Sequence, residues 1–178
     1  MVKPKIRPYF KAVFVSIFMA IIILFLLINY IASALKIEGS SMNPVLRDQE
    51  RVIILKSPVN KNHIHRFDII VFSTSREPHK KLIKRVIGLP GEHIEIKQGK
   101  VYVNNKILNQ TFLSPADSTA YAMISMKPVK IPENHYFVIG DNRRISKDSR
   151  TFGLIPRDRI IGKAILRYWP FSRFGKIS

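Results

Sequence analysis

The 178-residue sequence contains no cysteine. This absence excludes a disulfide-stabilised scaffold, a zinc site with cysteine ligands and a cysteine nucleophile. Acidic residues are also scarce: 12 Asp and Glu stand against 30 Lys and Arg, which gives a formal net charge of +18. The mean hydropathy is nevertheless slightly positive, at +0.02. The charged and the apolar residues must therefore be segregated along the chain, which argues against an evenly mixed soluble globule.

The apolar residues concentrate in one segment near the N-terminus. Residues 12–35 form a run of 24 residues without a charge. As an α-helix with about 1.5 Å per residue, this run would be roughly 36 Å long, enough to cross a hydrocarbon core of about 30 Å. No polar face interrupts it, which disfavours a buried core helix. Ala32-Ser33-Ala34 has the small-x-small form of a cleavage site, but the run exceeds the roughly 7 to 15 apolar residues of a signal peptide. We therefore expect a retained transmembrane anchor.

Basic residues are distributed unevenly around this run. Only Lys36 and Arg47 occur in the fifteen residues that follow it. Four basic residues precede it: Lys3, Lys5, Arg7 and Lys11. The positive-inside rule then predicts a cytoplasmic N-terminus at residues 1–11, a transmembrane anchor at 12–35 in the cell membrane, and an extracytoplasmic domain at 36–178.

The predicted outer domain is itself basic. Residues 37–178 contain 25 basic and 12 acidic residues, a net charge of +13. Such a surface can face nucleic acid, anionic lipid or anionic cell-wall polymer. The expected location and the lack of aromatics interleaved for base stacking disfavour nucleic acid. We expect membrane lipid as a partner, and an anchored basic module that binds lipid or wall polymer without catalysis is the non-enzymatic alternative.

Short apolar or alternating runs dominate the sequence after the anchor. Turn signals such as Pro90-Gly91 and Asn104-Asn105 separate them, and no long apolar period of 3.6 residues occurs. The runs cover residues 51–55, 68–72, 82–87, 93–96, 100–103, 136–139 and 160–168. This pattern predicts a mainly β fold, with a single N-terminal transmembrane helix followed by an antiparallel β domain. Residues 110–127 show the least pattern and are expected to form a loop.

Two patches offer a nucleophile and a base. Ser41 lies in a turn of small residues directly after the anchor, where its hydroxyl could act at the bilayer surface, although serine-rich turns are common. In the run 82–87, strand alternation places Lys84 on one face between Leu82 and Val86. Burial would lower the pKa of Lys84, so that a neutral amine could serve as the general base for a serine. The alternative is an exposed lysine that protects a strand edge.

A third patch, residues 140–150, is densely polar. It opens with Gly140-Asp141-Asn142-Arg143 and continues to Ser146, Asp148 and Arg150. Placing so many polar groups behind an apolar strand is costly unless they satisfy one another's hydrogen bonds. The patch is either a network that braces an active site or a solvated loop.

The three patches, in this order after an anchor, resemble bacterial type I signal peptidase in its prokaryotic, Gram-positive-like form. The matching motifs are Ser41-Met42-x-Pro44, Lys84-Arg85-Val86-Ile87-Gly88-Leu89-Pro90-Gly91, and Gly140-Asp141-Asn142-Arg143 with Ser146-x-Asp148-Ser149-Arg150. The resemblance implies a membrane-bound serine endopeptidase with Ser41 as nucleophile and Lys84 as general base. It also implies that Ser146 hydrogen-bonds and orients the lysine.

Further roles follow from the same resemblance. Asp148 with Arg150, and Asp141 with Arg85, would form ion pairs that shape the site. The pockets for substrate residues −1 and −3 would be lined by Ile37, Met42, Leu46, Leu82 and Ile83. The implied substrate is a secretory preprotein whose signal peptide binds as an extended strand. We expect neither a metal nor another cofactor.

Two positions depart from the family's pattern. Gly39 stands where some relatives have a serine that helps to stabilise the oxyanion, so backbone N–H groups, including that of Ser41, must contribute more. Phe67 stands where a glycine is usual, which we expect to alter a turn more than the chemistry.

The competing enzyme hypothesis is a serine hydrolase with a histidine base. The candidate bases are His63, His65, His79, His93 and His135, none of which lies in a recognisable triad motif. His63 and His65 have the spacing of two metal ligands on a strand, but no third ligand is evident.

Overall fold

The computed structural model describes residues 7–56, 64–75, 78–113 and 124–177. Helix α1 spans Arg7–Ile31, and its segment Tyr9–Ile31 is long and apolar enough to cross a membrane. Most of its described large apolar side chains, from Tyr9 to Tyr30, are exposed. Ser16 Oγ donates to the Ala12 carbonyl, and Asn29 Nδ2 donates to the Phe25 carbonyl. The helix therefore satisfies these polar side chains internally, as an apolar environment requires.

The helix ends four residues before the predicted anchor does. Residues 32–35 belong instead to strand β1 (Ala32–Lys36), which pairs antiparallel with β2 (Arg51–Lys56) from Ala32↔Leu55 to Lys36↔Arg51. Pairing with β2 gives the backbone of this segment hydrogen-bond partners outside the helix. Ala32-Ser33-Ala34 thus lies in a paired strand.

The rest of the chain is mostly antiparallel β-sheet, which confirms the predicted fold class. The remaining strands are β3 (Ile69–Phe72), β4 (Leu82–Gly88), β5 (His93–Lys97), β6 (Lys100–Val103), β7 (Lys106–Ile107), β8 (Met126–Lys130), β9 (His135–Ile139), β10 (Ile155–Pro156), β11 (Ile160–Trp169) and β12 (Gly175–Lys176). A four-residue helix, α2 (Ser149–Phe152), and two short 3-10 helices, Arg157–Arg159 and Phe171–Arg173, complete the described elements.

The strands form two sheets. The larger has the order β1-β2-β11-β3-β4-β9-β10, with β12 paired to β11, and the smaller has the order β7-β6-β5-β8. β4 lies between β3 and β9 in the larger sheet and is buried along almost its whole length. β1 is at the edge of that sheet and pairs only with β2. The position of β4 explains why a charged residue on it, Lys84, is removed from water.

Each predicted strand run corresponds to an observed strand. The runs 51–55, 82–87, 93–96, 100–103, 136–139 and 160–168 match β2, β4, β5, β6, β9 and β11 to within one residue, and the run 68–72 matches β3 with its start one residue later. The strands that the pattern did not indicate are two-residue pairings or edge strands, such as β1 and β8. β8 begins within the predicted loop 110–127, at Met126; residues 114–123 of that loop lie outside the described residues.

Candidate active site

Ser41 lies in a tight turn that directly follows β1. The Ile37 N–H donates to the Glu50 carbonyl over 2.7 Å, and the Gly39 N–H donates to Asp48 Oδ1 over 2.8 Å. Gly39 has φ +85°, a left-handed conformation that favours glycine. The two hydrogen bonds close the turn and leave the Ser41 side chain half-buried.

The other end of this turn is held by arginines from the C-terminal region. Glu50 is buried and pairs with Arg167 and Arg173. Arg167 Nη1 also donates to the Val45 carbonyl over 2.9 Å, and Arg173 Nη2 donates to the Pro44 carbonyl over 3.1 Å. These residues were missed from the sequence, because the contacts join positions more than 100 residues apart and no local pattern marks them.

Lys84 is buried in β4, which decides between the two alternatives that the strand alternation left open. Its side chain is 4% exposed, and burial lowers its pKa to about 8, against the opposing influence of the Asp148 and Asp141 carboxylates. The positive charge of Lys80 lowers the pKa further. A substantial fraction of Lys84 is therefore neutral at slightly alkaline pH.

The Lys84 amine and the Ser41 hydroxyl are in direct contact. Lys84 Nζ lies 2.7 Å from Ser41 Oγ and 2.8 Å from the Ile83 carbonyl oxygen. The carbonyl can accept one amine proton and so fix the direction of the nitrogen. In the neutral form, the nitrogen lone pair can accept the serine proton, which is the arrangement needed to activate a hydroxyl as a nucleophile.

Ser146 makes no hydrogen bond to this pair. Within the described part of the chain, Ser146 Oγ is buried and has no hydrogen-bond partner, so the expected bond to Lys84 is not formed. Instead, Ser146 packs on Gly140: a Cβ added to Gly140 would lie 2.2 Å from Ser146 Oγ and 2.5 Å from the Ser41 carbonyl oxygen. Gly140, whose part in the motif gave no sign of this role, permits the close approach because it has no side chain.

The two predicted ion pairs are both formed. Arg85 Nε and Nη2 bind the two oxygens of Asp141 at 2.9 and 2.8 Å, and Arg150 Nε and Nη2 bind Asp148 at 2.8 and 2.7 Å. Both carboxylates are fully buried. Asp148 also accepts the Gly140 N–H over 3.0 Å. The pairs therefore neutralise the buried charges behind Lys84 and fix the loop that faces Ser41.

Asn142 links that loop to the serine turn. Its backbone N–H donates to the Ser41 carbonyl over 3.0 Å, and its Nδ2 donates to the Ser40 carbonyl over 3.2 Å. Asn142 was not among the predicted site residues, although the polar patch at 140–150 contained it. The Ser41 N–H donates to no protein acceptor among the described residues, which leaves it available to a ligand.

A cavity of about 520 Å³ opens beside the Ser41–Lys84 pair. Three of the five predicted pocket residues line it: Ile37, Leu82 and Ile83. Met42 and Leu46 do not appear among its lining residues; they are buried in a core cluster with Ile37 and Ile83. Because the serine turn folds over them, these two residues support the cavity wall from below.

Two strand edges border the cavity. One wall comes from residues 35–38, at the end of the edge strand β1, and the other from residues 79–84. β4 pairs with β3 along Leu82 to Arg85, but its pairing with β9 begins only at Arg85. Both walls therefore offer backbone to which an extended peptide can add as a further strand.

Phe67 adopts the conformation that a glycine would favour, with φ +73°. Its N–H donates to the Val86 carbonyl over 2.8 Å, and its carbonyl accepts from Arg85 Nη1 over 2.9 Å. The Phe67 ring packs against Phe112 with the centroids 5.4 Å apart.

None of the histidine candidates that the structure describes, His65, His79, His93 and His135, makes a hydrogen bond to Ser41. His79 lines the cavity but is exposed, and the Ser41 hydroxyl bonds to Lys84. His63 lies outside the described residues. Across the described ranges, no three His, Asp or Glu side chains are grouped so that they could hold a metal ion.

An apolar helix followed by a β domain, with a serine bonded to a buried lysine beside a cleft, defines the class of membrane-anchored serine hydrolases. Residues 10–169 match the family described as signal peptidase, peptidase S26. The chain belongs to this family: it is a type I signal peptidase, a serine endopeptidase that removes signal peptides from preproteins.

Individual relatives agree with this assignment. The chain is 37% identical over 155 residues to probable signal peptidase I-2 of Synechocystis sp., covering 84% of this chain and 69% of that protein. It is 35% identical over 166 residues to signal peptidase IB of Staphylococcus aureus, covering 86% of each. The crystal structure of a signal peptidase I from Enterococcus faecalis matches 57% of this chain and 97% of that chain, with a TM-score of 0.50 and 32% identity.

Proposed function

We propose that Ser41 is the nucleophile and Lys84 the general base of this signal peptidase. The observation that carries the proposal is the 2.7 Å contact between Lys84 Nζ and Ser41 Oγ, made by an amine whose pKa burial lowers to about 8. A lysine of ordinary pKa would be charged near neutrality and could not accept the serine proton.

The first half of the reaction forms an acyl-enzyme. Neutral Lys84 removes the proton from Ser41 Oγ while the oxygen attacks the carbonyl carbon of substrate residue −1. The Ser41 N–H is placed to donate to the oxyanion that develops, since no protein acceptor among the described residues takes it. The tetrahedral intermediate then expels the amine of residue +1, which receives its proton from the Lys84 ammonium.

The second half releases the signal peptide. Lys84, neutral again, takes a proton from a water molecule, which attacks the ester carbonyl between Ser41 and residue −1. Collapse of the second intermediate returns the proton to Ser41 and frees the signal peptide with a new carboxylate terminus. Asp141, Arg85, Asp148 and Arg150 shape the site through their ion pairs, and Ser146 packs on Gly140.

The substrate lies extended between the two strand edges of the cavity. In an extended peptide, side chains −1 and −3 point to the same side. Here they would point toward Ile37, Leu82 and Ile83, and the apolar walls select small residues at these two positions. Met42 and Leu46 act through the wall that they support.

The membrane arrangement follows from α1 and the charges that flank it. We propose that residues 1–11 are cytoplasmic, that the apolar segment around 12–35 is the single membrane anchor, and that the domain within 36–178 works outside the membrane, in contact with lipid. Strand β1 begins directly after α1, so Ser41 lies only ten residues beyond the helix end at Ile31. The serine is therefore held near the bilayer surface, where signal peptides end.

Cleavage of a purified preprotein tests the assignment of the two residues. The full chain in neutral detergent is compared with Ser41→Ala, Lys84→Ala and His79→Ala. We expect the first two variants to lose on the order of 10³-fold or more in kcat/KM, with unchanged circular dichroism. His79→Ala, on the same cavity wall, should retain most activity. An active Lys84→Ala enzyme would falsify the dyad, and an inactive, folded His79→Ala enzyme would favour the histidine alternative.

A further inference from the structure

The rim of the cavity is cationic, in contrast to its apolar walls. Three exposed lysines line it: Lys36 on one wall, and Lys80 with Lys81 on the other. Glu38 is the acidic residue among the described lining residues. Lys36 and Lys81 thus place two exposed ammonium groups on the two walls of the cavity.

On both walls, neighbouring residues in the sequence alternate between an exposed lysine and an apolar side chain. Exposed Lys36 is followed by Ile37, which is 1% exposed, and exposed Lys81 is followed by half-buried Leu82 and buried Ile83. On each wall, an apolar side chain faces inward next to a lysine that faces solvent. An extended peptide in the cavity therefore meets apolar groups on one side and ammonium groups on the other.

The charge of the rim is felt by its neighbours. Lys80 lowers the pKa of Lys84, and Lys36 contributes to the lowered pKa of Asp48. The Asp48 carboxylate already accepts the Gly39 N–H over 2.8 Å and the Gln49 side-chain amide over 3.1 Å. Asp48 therefore holds the serine turn and also attracts the Lys36 ammonium, but it is not among the residues that line the cavity.

We propose that the lysine rim selects preproteins with an aspartate or glutamate at an outward-facing position before the cleavage site, −2 or −4. The proposal rests on the proposed function, because it uses an extended peptide with residues −1 and −3 in the cavity. Side chains −2 and −4 of such a peptide point to the opposite side. There, a carboxylate comes within reach of Lys36 and Lys81 from opposite walls.

The position of the lysines favours a peptide over a lipid headgroup as their partner. They border the same cavity as Ser41, so a headgroup held by them would compete with the substrate for the cleft. A carboxylate that belongs to the substrate does not compete in this way, because it enters the cleft as part of the bound peptide. The experiment must therefore distinguish a preference for acidic substrates from binding of an anionic lipid.

The experiment compares preprotein peptides that differ in one side chain. Glutamate and its neutral counterpart glutamine are placed at −2 in one pair and at −4 in a second pair, and kcat/KM is measured with the full chain in neutral detergent at low salt. Exposed ion pairs have modest strength, so we expect glutamate to be preferred about twofold to fivefold at one of the two positions. The preference should shrink at ~0.5 M salt, where the Debye length is only a few ångströms.

Charge-reversal variants assign the effect to the rim. Lys36→Glu, Lys81→Glu and the double variant should abolish or invert the preference for glutamate. Lys106→Glu is the matched control: this exposed lysine lies on β7 in the smaller sheet, away from the cavity. It makes the same charge change and should leave the preference intact.

Three results would overturn the proposal: equal kcat/KM for glutamate and glutamine at both positions, a preference that survives in the double variant, or a preference that Lys106→Glu removes equally. If the peptide pairs are cleaved equally but phosphatidylglycerol vesicles accelerate both only when Lys36 and Lys81 are present, the rim binds lipid and the proposal is wrong. The glutamine peptide also tests the catalytic roles of Ser41 and Lys84 independently of the lysine rim. The Ser41→Ala variant must fail to cleave this neutral peptide, whether or not the rim prefers glutamate.

Discussion

The guanidinium carbon of Arg85 lies 4.1 Å from the centre of the Phe112 ring. Arg85 is the neighbour of Lys84 in β4 and binds Asp141 through two nitrogens. The opposite contact of Phe112 is the ring of Phe67, in an edge-on arrangement. One aromatic side chain, from a segment without regular structure, thus covers the buried ion pair next to Lys84.

Replacing Phe112 should destabilise this arrangement. Phe112→Ala removes a cation–π contact, an aromatic pair and buried apolar area, so we expect a loss of about 2 to 4 kcal/mol in unfolding free energy. Thermal unfolding of the full chain in neutral detergent measures it, with Ile107→Ala, at a side chain 61% exposed, as the control. An unchanged melting temperature in Phe112→Ala would show that the ring does not support the ion pair.

Phe67 offers a sharper test of the same contacts, because its backbone and its ring have opposite effects. Glycine at this position relieves the cost of a left-handed conformation, about 1 kcal/mol, but removes the ring that packs on Phe112. We expect Phe67→Gly to destabilise the wild type and to be neutral or stabilising in the Phe112→Ala background. A double-mutant cycle by urea unfolding measures the coupling. Equal effects in both backgrounds would mean that the two rings do not support each other.

Much of this site could be predicted from the sequence. The alternation around Lys84 placed it on a strand between two apolar neighbours, without deciding between burial and an exposed edge. The order of the three motifs identified the residues that the fold brings together. Other features depend on packing across the chain. Met42 and Leu46 lie below the cavity because the serine turn closes over them, and the direction of the Ser146 hydroxyl is not encoded in its spacing from Asp148.

Contacts between residues far apart in the sequence could not be predicted from local sequence patterns. Glu50 binds Arg167 and Arg173 only because β2 and β11 are adjacent in the sheet. Strand β1 could not be predicted from the sequence, because its first residues continue the apolar run of α1. Only the pairing with β2 shows that these residues form a strand and not a further turn of helix.

Gly140→Ala should reduce activity strongly by displacing the reacting groups. The added Cβ would lie 2.5 Å from the Ser41 carbonyl oxygen, a backbone atom that cannot rotate away, and 2.2 Å from Ser146 Oγ. We expect a loss of at least tenfold in kcat/KM, measured with a preprotein peptide. The double variant Gly140→Ala/Ser146→Ala should recover little, because it relieves only the hydroxyl contact. Full recovery would place the conflict at Ser146 and not at the serine turn.

Ser146→Ala alone should have a small effect on stability. Its hydroxyl is buried without a hydrogen-bond partner within the described residues, so removing it eliminates an unsatisfied polar group. We expect unchanged or slightly higher stability and a fall in kcat/KM below about tenfold, since the Ile83 carbonyl already orients the Lys84 amine. A loss as large as that of Lys84→Ala would mean that Ser146 holds the lysine during the reaction.

The buried lysine should lower the stability of the fold. The pKa of Lys84 is about 8 in the folded chain and ordinarily 10.5, which corresponds to about 3 kcal/mol. Between these two values the unfolded chain binds more protons than the folded one, so stability rises with pH across this window. Lys84→Met, of similar shape and uncharged, should therefore be more stable than the wild type by about 1 to 3 kcal/mol at pH 7, with a smaller difference at pH 10. Urea unfolding at the two pH values measures both. A constant difference would mean that the lysine titrates normally in the fold.

Activity should also depend on the protonation of Lys84, because only the neutral amine can accept the Ser41 proton. We expect kcat/KM to rise with pH to a plateau with a midpoint near 8. The charged groups that face Lys84 are Asp148, Asp141 and Lys80, and the positive charge of Lys80 lowers the pKa of Lys84. Lys80→Gln should therefore move the midpoint to higher pH, while Lys106→Gln, on the distant β7, should leave it in place. Both variants remove one positive charge from the chain. If the midpoint of the pH profile moves equally in both, the shift is caused by the net charge and not by the position of Lys80. A profile that is flat from pH 6 to 9 would exclude a lysine base altogether.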